Sequence, residues 1–442
     1  MLPFALSLFL HNAPIDRHAL VSRHNVTLTQ LDSTRPLQVG NGELAFNMDV
    51  TGLQTFTPFN TLSHWGWYSS PPPNGQRPEE FEGQVWDTHG RPVRYPMPDP
   101  KRPALSYWME SNPHRVNLGR IGLLLKSANG SVVRIADLKK VRQNLDLWTG
   151  IATSQFELEG APVTVKTTCH PETDTIGVQI DSPLVAKGQI AVFFSAPGDN
   201  PRQFADYIGD WRNPSPLTLT PLGKGQATLT HRYDSTLFSM GVRWEGEATL
   251  RPSKEPSQSL VIDQAKYGEG DKWIDVTAKV ASAVAKNNLS IQVNDSLGPD
   301  PSPGKQKFLR VFYAANGVQQ ALEASQNSEM AATSSIENRV VLAPKAGSKS
   351  LAFTCTFGKG EKPMPTAQSV LDASRRHWPK FWKSGGAVDL SGSKDPRWFE
   401  LERRIVLSQY LMALNGSGSL PPQESGLVNN GWYGRFHMEM LW

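Results

Sequence analysis

The sequence predicts a mainly β protein: a large antiparallel β-sandwich over residues 24–360, a helical linker over 361–390, and the opening of an α-domain over 391–442. Three observations predict it. Apolar residues recur at every second position in short runs bounded by Gly, Pro, Asn and Asp clusters, as in strands with one buried face. These runs are too numerous for a single sheet, so two sheets must pack together. After Phe357 the apolar period lengthens from that of a strand to that of a helix.

The first 23 residues form a possible signal segment. "MLPFALSLFLHNA" carries an apolar run, Leu2 to Leu10, as long as a secretory h-region, although no Lys or Arg precedes it. Asn-x-Ser/Thr sequons at Asn25, Asn129, Asn288, Asn294 and Asn415 fit the same expectation of an extracellular or secretory-pathway protein.

Strands follow. "VTVKTTCH" puts Val163, Val165, Thr167 and Cys169 on one face. "FSMGVRW" alternates Phe238, Met240, Val242 and Trp244 against Ser239, Gly241 and Arg243, and "LAFTCTF" alternates Leu351, Phe353, Cys355 and Phe357 against Ala352, Thr354 and Thr356. These three runs are expected to share one core. Both cysteines fall on the apolar phase, which predicts buried free thiols rather than a disulfide or a reactive group. Residues 69–115 are too rich in Pro for central strands and read as a long ordered excursion or lid, with Tyr95, Tyr107 and Trp108 arguing against disorder.

In the linker, Thr366 is a cap candidate, and Val370, Ser374, Trp378 and Trp382 share a helical stripe, with Pro379 expected to kink or end the segment. "DPRWFELERRIVLSQYLMAL" is the strongest helix signal. Asp395 can cap it and Pro396 suits its first position. Leu401, Ile405 and Met412 line one side; Phe399, Val406, Tyr410 and Ala413 line another. An apolar surface that wide needs cover on more than one side. Asn415 and Gly416 end the helix. One helix and part of a second cannot bury that surface, so the chain is expected to be the N-terminal part of a longer one; the competing reading is a small helical appendage on the sandwich.

Composition excludes several classes. The chain has 442 residues, enough for two or three units, and a net charge of +4 from 45 basic and 41 acidic residues. With no Lys/Arg run, nucleic acid is not an expected partner. No segment approaches the about 18–20 apolar residues of a membrane span. Two cysteines make no disulfide scaffold. No His/Cys cluster has metal-ligand spacing, and neither a Gly-x-Ser-x-Gly elbow nor a phosphate loop occurs, so no metal and no cofactor are expected.

Two aromatic clusters are candidate sites. "NNGWYGRFHMEMLW" (429–442) offers Trp432, Tyr433, Arg435, His437, Glu439 and Trp442. On a helix starting near Gly434, Arg435 and Glu439 share a face, either as a plain ion pair or as a clamp for sugar hydroxyls. "TLSHWGWYSS" (61–70) holds Trp65 and Trp67, which point to the same side if the stretch is a strand. They read as a sugar subsite or as core packing.

Three stretches resemble the six-hairpin glycosidases, and glycoside hydrolase family 65-like proteins in particular. "VGNGELAFNMDVTG" (39–52) resembles that family's Gly-Asn-Gly start of the sandwich. "HWPKFWKSGGAVDLSGSKDPRWFELERRIVLSQYLMAL" (377–414) resembles its linker, with a short D-L-x-G strand, and its first barrel helix. "SLPPQESGLVNNGWYGRFHMEMLW" (419–442) resembles its P-x-x-G-L…G-Y-x-G-H-x-F-W-D-x-E stretch. The resemblance implies that residues 391–442 begin an α/α six-hairpin barrel. It implies a carbohydrate substrate and inverting cleavage by water or phosphate. Aligned on Gly434, the family's sugar-binding aspartate falls on Glu439 and its tryptophan on Met438, a departure at that position. It favours the clamp over the ion pair and makes Glu439, Arg435, His437, Trp432, Tyr433, Trp65 and Trp67 the expected substrate-binding residues. The general acid is expected downstream of Trp442, which would leave this chain inactive alone; Glu439 is a lesser candidate for catalysis. The alternative is a non-catalytic β-sandwich module that binds glycan or protein.

Overall fold

A computed structural model of the chain describes residues 14–428, apart from 33–34, 96–97, 132, 200–208, 254–259, 286–287, 316–317, 334–338, 361 and 421–425. The apolar run Leu2–Leu10 lies outside the described residues. The chain is mainly β, in several antiparallel sheets. Its helices are α1 (Arg17–Ser22), α2 (Pro103–Ser111), α3 (Pro183–Ala186), α4 (Thr277–Ser282), α5 (Ala367–Ser384) and α6 (Trp398–Gly416). Among the described residues no helix is long and apolar enough to cross a membrane.

The largest sheet has nine strands. In spatial order they are Val26–Leu28, Lys139–Asp146, Ile151–Leu158, Ala161–Cys169, Thr175–Asp181, Ser350–Gly358, Thr236–Glu245, Gln226–Tyr233 and Thr218–Gly223. A five-stranded sheet is built around Ile190–Gly198, and a three-stranded one from Leu37–Gly40, Leu44–Met48 and Thr61–Ser63. All three sheets feed one apolar cluster, which includes Val163, Val242 and Phe353. Phe194 meets Phe353 edge-on at 5.8 Å, joining the five-stranded sheet to the nine-stranded one. The alternation expected from the sequence holds. Cys169 and Cys355 are free and buried. Each lies opposite Ile176, so a whole strand separates them. Two strand spacings, about 10 Å, exceed the reach of a disulfide. Burial pushes both thiols up.

A second apolar cluster lies within residues 260–332. Val261–Glu269, Lys272–Asp275, Phe308–Ala315 and Val318–Ser325 form a four-stranded sheet, and three shorter strands form another. Between them Ala265, Tyr267, Val280, Leu289, Leu309 and Val311 are buried apart from the sandwich core. Period-two alternation reports a buried face but not which core it faces, so the sequence does not separate the two.

The excursion is ordered where described: a hairpin of Gln84–Thr88 and Arg91–Tyr95, then α2. Its stem is closed by pairing of Trp67 with Arg115 and of Tyr68 with His114. Tyr68 donates to the Asp234 carboxylate, and His114 Nε2 lies 2.7 Å from Asp199.

Two helix expectations need correction. Pro379 neither ends nor splits α5, which runs to Ser384 with Val370, Ser374, Trp378 and Trp382 all buried. Trp382 Nε1 donates to Leu147 O at 2.7 Å, and Trp378 packs on Tyr410 at 4.6 Å. Two anchored tryptophans flank the proline and hold one axis despite its missing N–H. α6 starts at Trp398 with no side-chain cap. Asp395 instead accepts from Arg397 N at 2.9 Å and binds the Arg397 guanidinium, which holds the chain in a turn for one more step. The expected D-L-x-G strand at 389–392 is not a strand. Asp389 is taken by Arg23 at 2.7 Å and accepts from Ser391 N and Oγ.

Of the two apolar sides expected on α6, one is docked: Val406, Tyr410 and Leu414 are buried at i, i+4 spacing. Leu401 and Met412 are 54% and 72% exposed. Buried Glu402 shares the docked face. It accepts from Arg23 Nε at 2.7 Å, Arg23 Nη2 at 2.9 Å and Leu390 N at 2.6 Å, and meets His24 Nε2 at 2.6 Å.

Candidate functional site

The Gly40-Asn41-Gly42 stretch is shaped by what lands on it. Asn41 Oδ1 accepts from Glu43 N and Leu44 N, closing the turn between Leu37–Gly40 and Leu44–Met48. Its Nδ2 donates to His170 O at 3.1 Å and Thr173 O at 3.2 Å, and reaches Asp174 Oδ1 at 3.3 Å. Gly42 has φ +89°, and a Cβ there would lie 2.5 Å from Ser417 Oγ. Its N–H donates to Leu414 O at 3.2 Å. The end of α6 is therefore docked on this turn, with Tyr410 Oη donating to Gln38 O and Asn415 Nδ2 to Gln38 Oε1. Beyond the helix, Ser419 N donates to the Glu43 carboxylate. Val428 then closes the docked segment: its N–H donates to Asn415 Oδ1 and its carbonyl accepts from Asn60 Nδ2 at 3.1 Å.

Four stretches thus converge: 41–43, 63–67, 170–174 and 414–419. Trp65 stands where they meet. Its Nε1 donates to Asp174 Oδ2 at 2.6 Å, and its ring is partly buried against the core. Burial raises Asp174, while the donors Trp65 and Asn41 pull it down; the net direction is up. Glu43 adds to the rise, and Lys362 opposes it. The rim therefore holds the Asp174 carboxylate on an indole, with the Glu43 charge close enough to add to its rise.

The two tryptophans do not share a strand face. Trp65 sits in a bend between the strand Thr61–Ser63 and the two-residue strand Trp67–Tyr68. Trp67 Nε1 donates to His64 O at 2.5 Å, and the Arg115 guanidinium covers its ring at 4.7 Å. Arg115 is buried, donates to Ser63 O, and is pushed down to about 9 by desolvation. His64 is buried under Gly418; desolvation, then Arg115, lowers its imidazole.

Trp432, Tyr433, Arg435, His437 and Glu439 lie outside the described residues. Asn41, Glu43, His170 and Asp174 were not singled out as site residues by the sequence reading. Asn41 and Glu43 lie inside a motif it did single out, but Asp174 sits in a turn that only the fold brings to Trp65. Among the described residues no group of three His, Cys, Asp or Glu side chains could hold a metal.

No protein-family model matches the chain, and no curated protein matches it. Among solved structures it is similar to a putative kojibiose phosphorylase from human microbiome, with a TM-score of 0.38 and 9% identity. The match covers 88% of this chain and 41% of that one, so the chain spans less than half of that protein's length.

Proposed function

We propose that the chain is part of a carbohydrate-active enzyme of the six-hairpin type, and that the rim around Trp65 is the sandwich's share of its sugar site. One observation carries this reading: an indole held by a carboxylate, Trp65 on Asp174, with the Glu43 charge acting on that carboxylate. Aromatic faces bind sugar CH groups and fixed carboxylates bind hydroxyls. In this reading Trp432, Tyr433, Arg435, His437 and Glu439 complete the clamp, and the reaction is glycoside cleavage with inversion. Trp67 supports the rim through Arg115 instead of touching sugar.

The test is calorimetric titration of the protein with a panel of neutral oligosaccharides. One member should bind, and Trp65→Ala and Asp174→Asn should each weaken it by about tenfold or more, the loss of one good contact. Trp67→Ala should weaken it less. A panel without a binder, or a binder indifferent to Trp65, sinks the proposal. Turnover of aryl glycosides that Glu439→Gln abolishes would move Glu439 from clamp to catalyst.

A further inference from the structure

A groove on the outward face of the nine-stranded sheet lies beyond the rim. α5 covers this face over Ile151–Leu158, Ala161–Cys169 and Thr175–Asp181. The chain after Phe357 then crosses Thr236–Glu245 as a strap. Ser239 Oγ donates to Gly358 O and accepts from Gly360 N, Arg243 Nη1 donates to Met364 O at 3.0 Å, and Thr354 Oγ1 donates to Pro365 O at 2.9 Å. Between the strap and the last two strands of the sheet a cavity of about 250 Å³ remains.

Strand register builds its floor. Thr228, Gly241 and Thr356 line it from opposite positions on three successive strands, and the row runs on through Thr220 and Thr175 on the flanking strands. Residues directly opposite share a face, so this is a row of hydroxyls across the sheet, broken only at Gly241. The missing side chain makes the dent: a Cβ at Gly241 would lie 2.9 Å from Met364 Sδ. Gln226 and Thr228 line one wall and Lys362 the mouth; among the described lining residues none is a carboxylate. Neutral hydroxyls and an amide match ligand hydroxyls, and an ammonium with no carboxylate in the lining favours an anion. The volume is below the about 300 Å³ at which sites for drug-sized ligands begin, so the ligand is one ring.

We propose that this groove binds a single acidic sugar ring, a uronate or a hexose bearing a sulfate or phosphate ester, with Lys362 on the anion and Gln226 and Thr228 on hydroxyls. The proposal rests on the carbohydrate reading of the rim; Gln226 and Thr228 take no part there and Lys362 acts on the rim only through its charge on Asp174, so the two can fail separately.

The experiment is calorimetric titration of the full chain with glucose, glucuronate, glucose 6-sulfate and inorganic sulfate, on the parent and on Lys362→Gln, Thr228→Val, Gly241→Val and Trp65→Ala, each checked for an unchanged melting profile. The two acid sugars should bind about tenfold or more tighter than glucose, the worth of one charge-assisted hydrogen bond. Lys362→Gln should erase that advantage, Thr228→Val should weaken both acid sugars, and Trp65→Ala should leave the affinity for the acid sugars unchanged, whatever it does to glucose at the rim. If Gly241→Val does not fold, Lys362→Gln and Thr228→Val carry the test. Glucose binding as tightly as glucuronate overturns the proposal, as does inorganic sulfate matching the acid sugars, which would mark a bare anion patch. Acid-sugar binding lost in Trp65→Ala overturns it too, leaving one site at the rim.

Discussion

Gly418 passes so close to the imidazole of His64 that a Cβ at position 418 would lie 2.2 Å from His64 Nε2 and 2.4 Å from Gly42 O. His64 cannot retreat, being buried between the turn at 42 and Arg115. Gly418→Ala should therefore loosen the segment after α6 from the sandwich, at a cost of about 1–3 kcal/mol typical of overpacking. Hydrogen exchange should rise at Asn415 to Gly418 while Ile176 to Ile180 keep their protection. Unchanged exchange at both places would mean that the crossing has slack the distances do not suggest.

The Glu402 carboxylate ties α6 to Arg23 and His24, just after α1. Burial alone would raise it, but Arg23, His24 and the Leu390 N–H outweigh burial and hold it below the usual range. A depressed carboxylate stabilises the fold above its unfolded pKa and loses that stability as pH falls through its folded one. Glu402→Gln keeps the shape and removes the charge. It should cost about 3 kcal/mol, the low end for breaking a buried pair, because Arg23 is partly solvated. A denaturant midpoint within error of the parent's would show the hub to be replaceable by solvent.

Much of this fold was legible in the sequence. The phases of Val163, Met240 and Phe353 were right because a buried face imposes period two whatever lies across it. The same property hid the second core around Tyr267 and Val311, since alternation carries no address. Helix boundaries failed where a side chain found a partner that local rules do not see: Asp395 chose Arg397, and Trp378 and Trp382 carried α5 through Pro379. The rim was half legible. Trp65 and the Asn-Gly-Glu turn stood out as residues, but Asp174 reaches Trp65 only across 109 positions of chain.

α6 leaves Leu401 and Met412 in water, 54% and 72% exposed, while its other side is docked. Each large apolar side chain left exposed forgoes roughly 1.5–3 kcal/mol of burial, and a contiguous patch of them promotes association. Light scattering at increasing concentration should show self-association of the parent. The pair Leu401→Lys and Met412→Lys should remove it without lowering the melting temperature, since neither side chain belongs to the core. Association that persists in the double variant would place the sticky surface elsewhere.

His231 sets an acid limit on the sandwich. It is buried, stacked on Phe238 at 5.4 Å and beside Tyr233 at 5.3 Å, and desolvation pushes its imidazole down to about 4. The sign follows from proton counting. In the unfolded chain a histidine takes up its proton near pH 6.5, whereas the folded chain refuses it until about pH 4. Between those values the unfolded state binds more protons, so stability falls as pH falls, by about 1.4 kcal/mol per pH unit for this one group. From pH 6.5 to 5 the loss is roughly 1.5 kcal/mol, because the unfolded imidazole is only half protonated at the upper end. His64, His170 and His377 are also lowered, chiefly by burial, and add in the same direction. Buried Asp49 and Asp174 are raised, chiefly by burial, and act oppositely. His231→Phe keeps an aromatic ring against Phe238 and removes the titration. Its unfolding free energy should decline less steeply from pH 6.5 to 5 than the parent's, by up to one proton's slope. Parallel curves for the two proteins over that interval would mean that His231 takes its proton in the folded state, and that the pocket around Phe238 and Tyr233 is open to water.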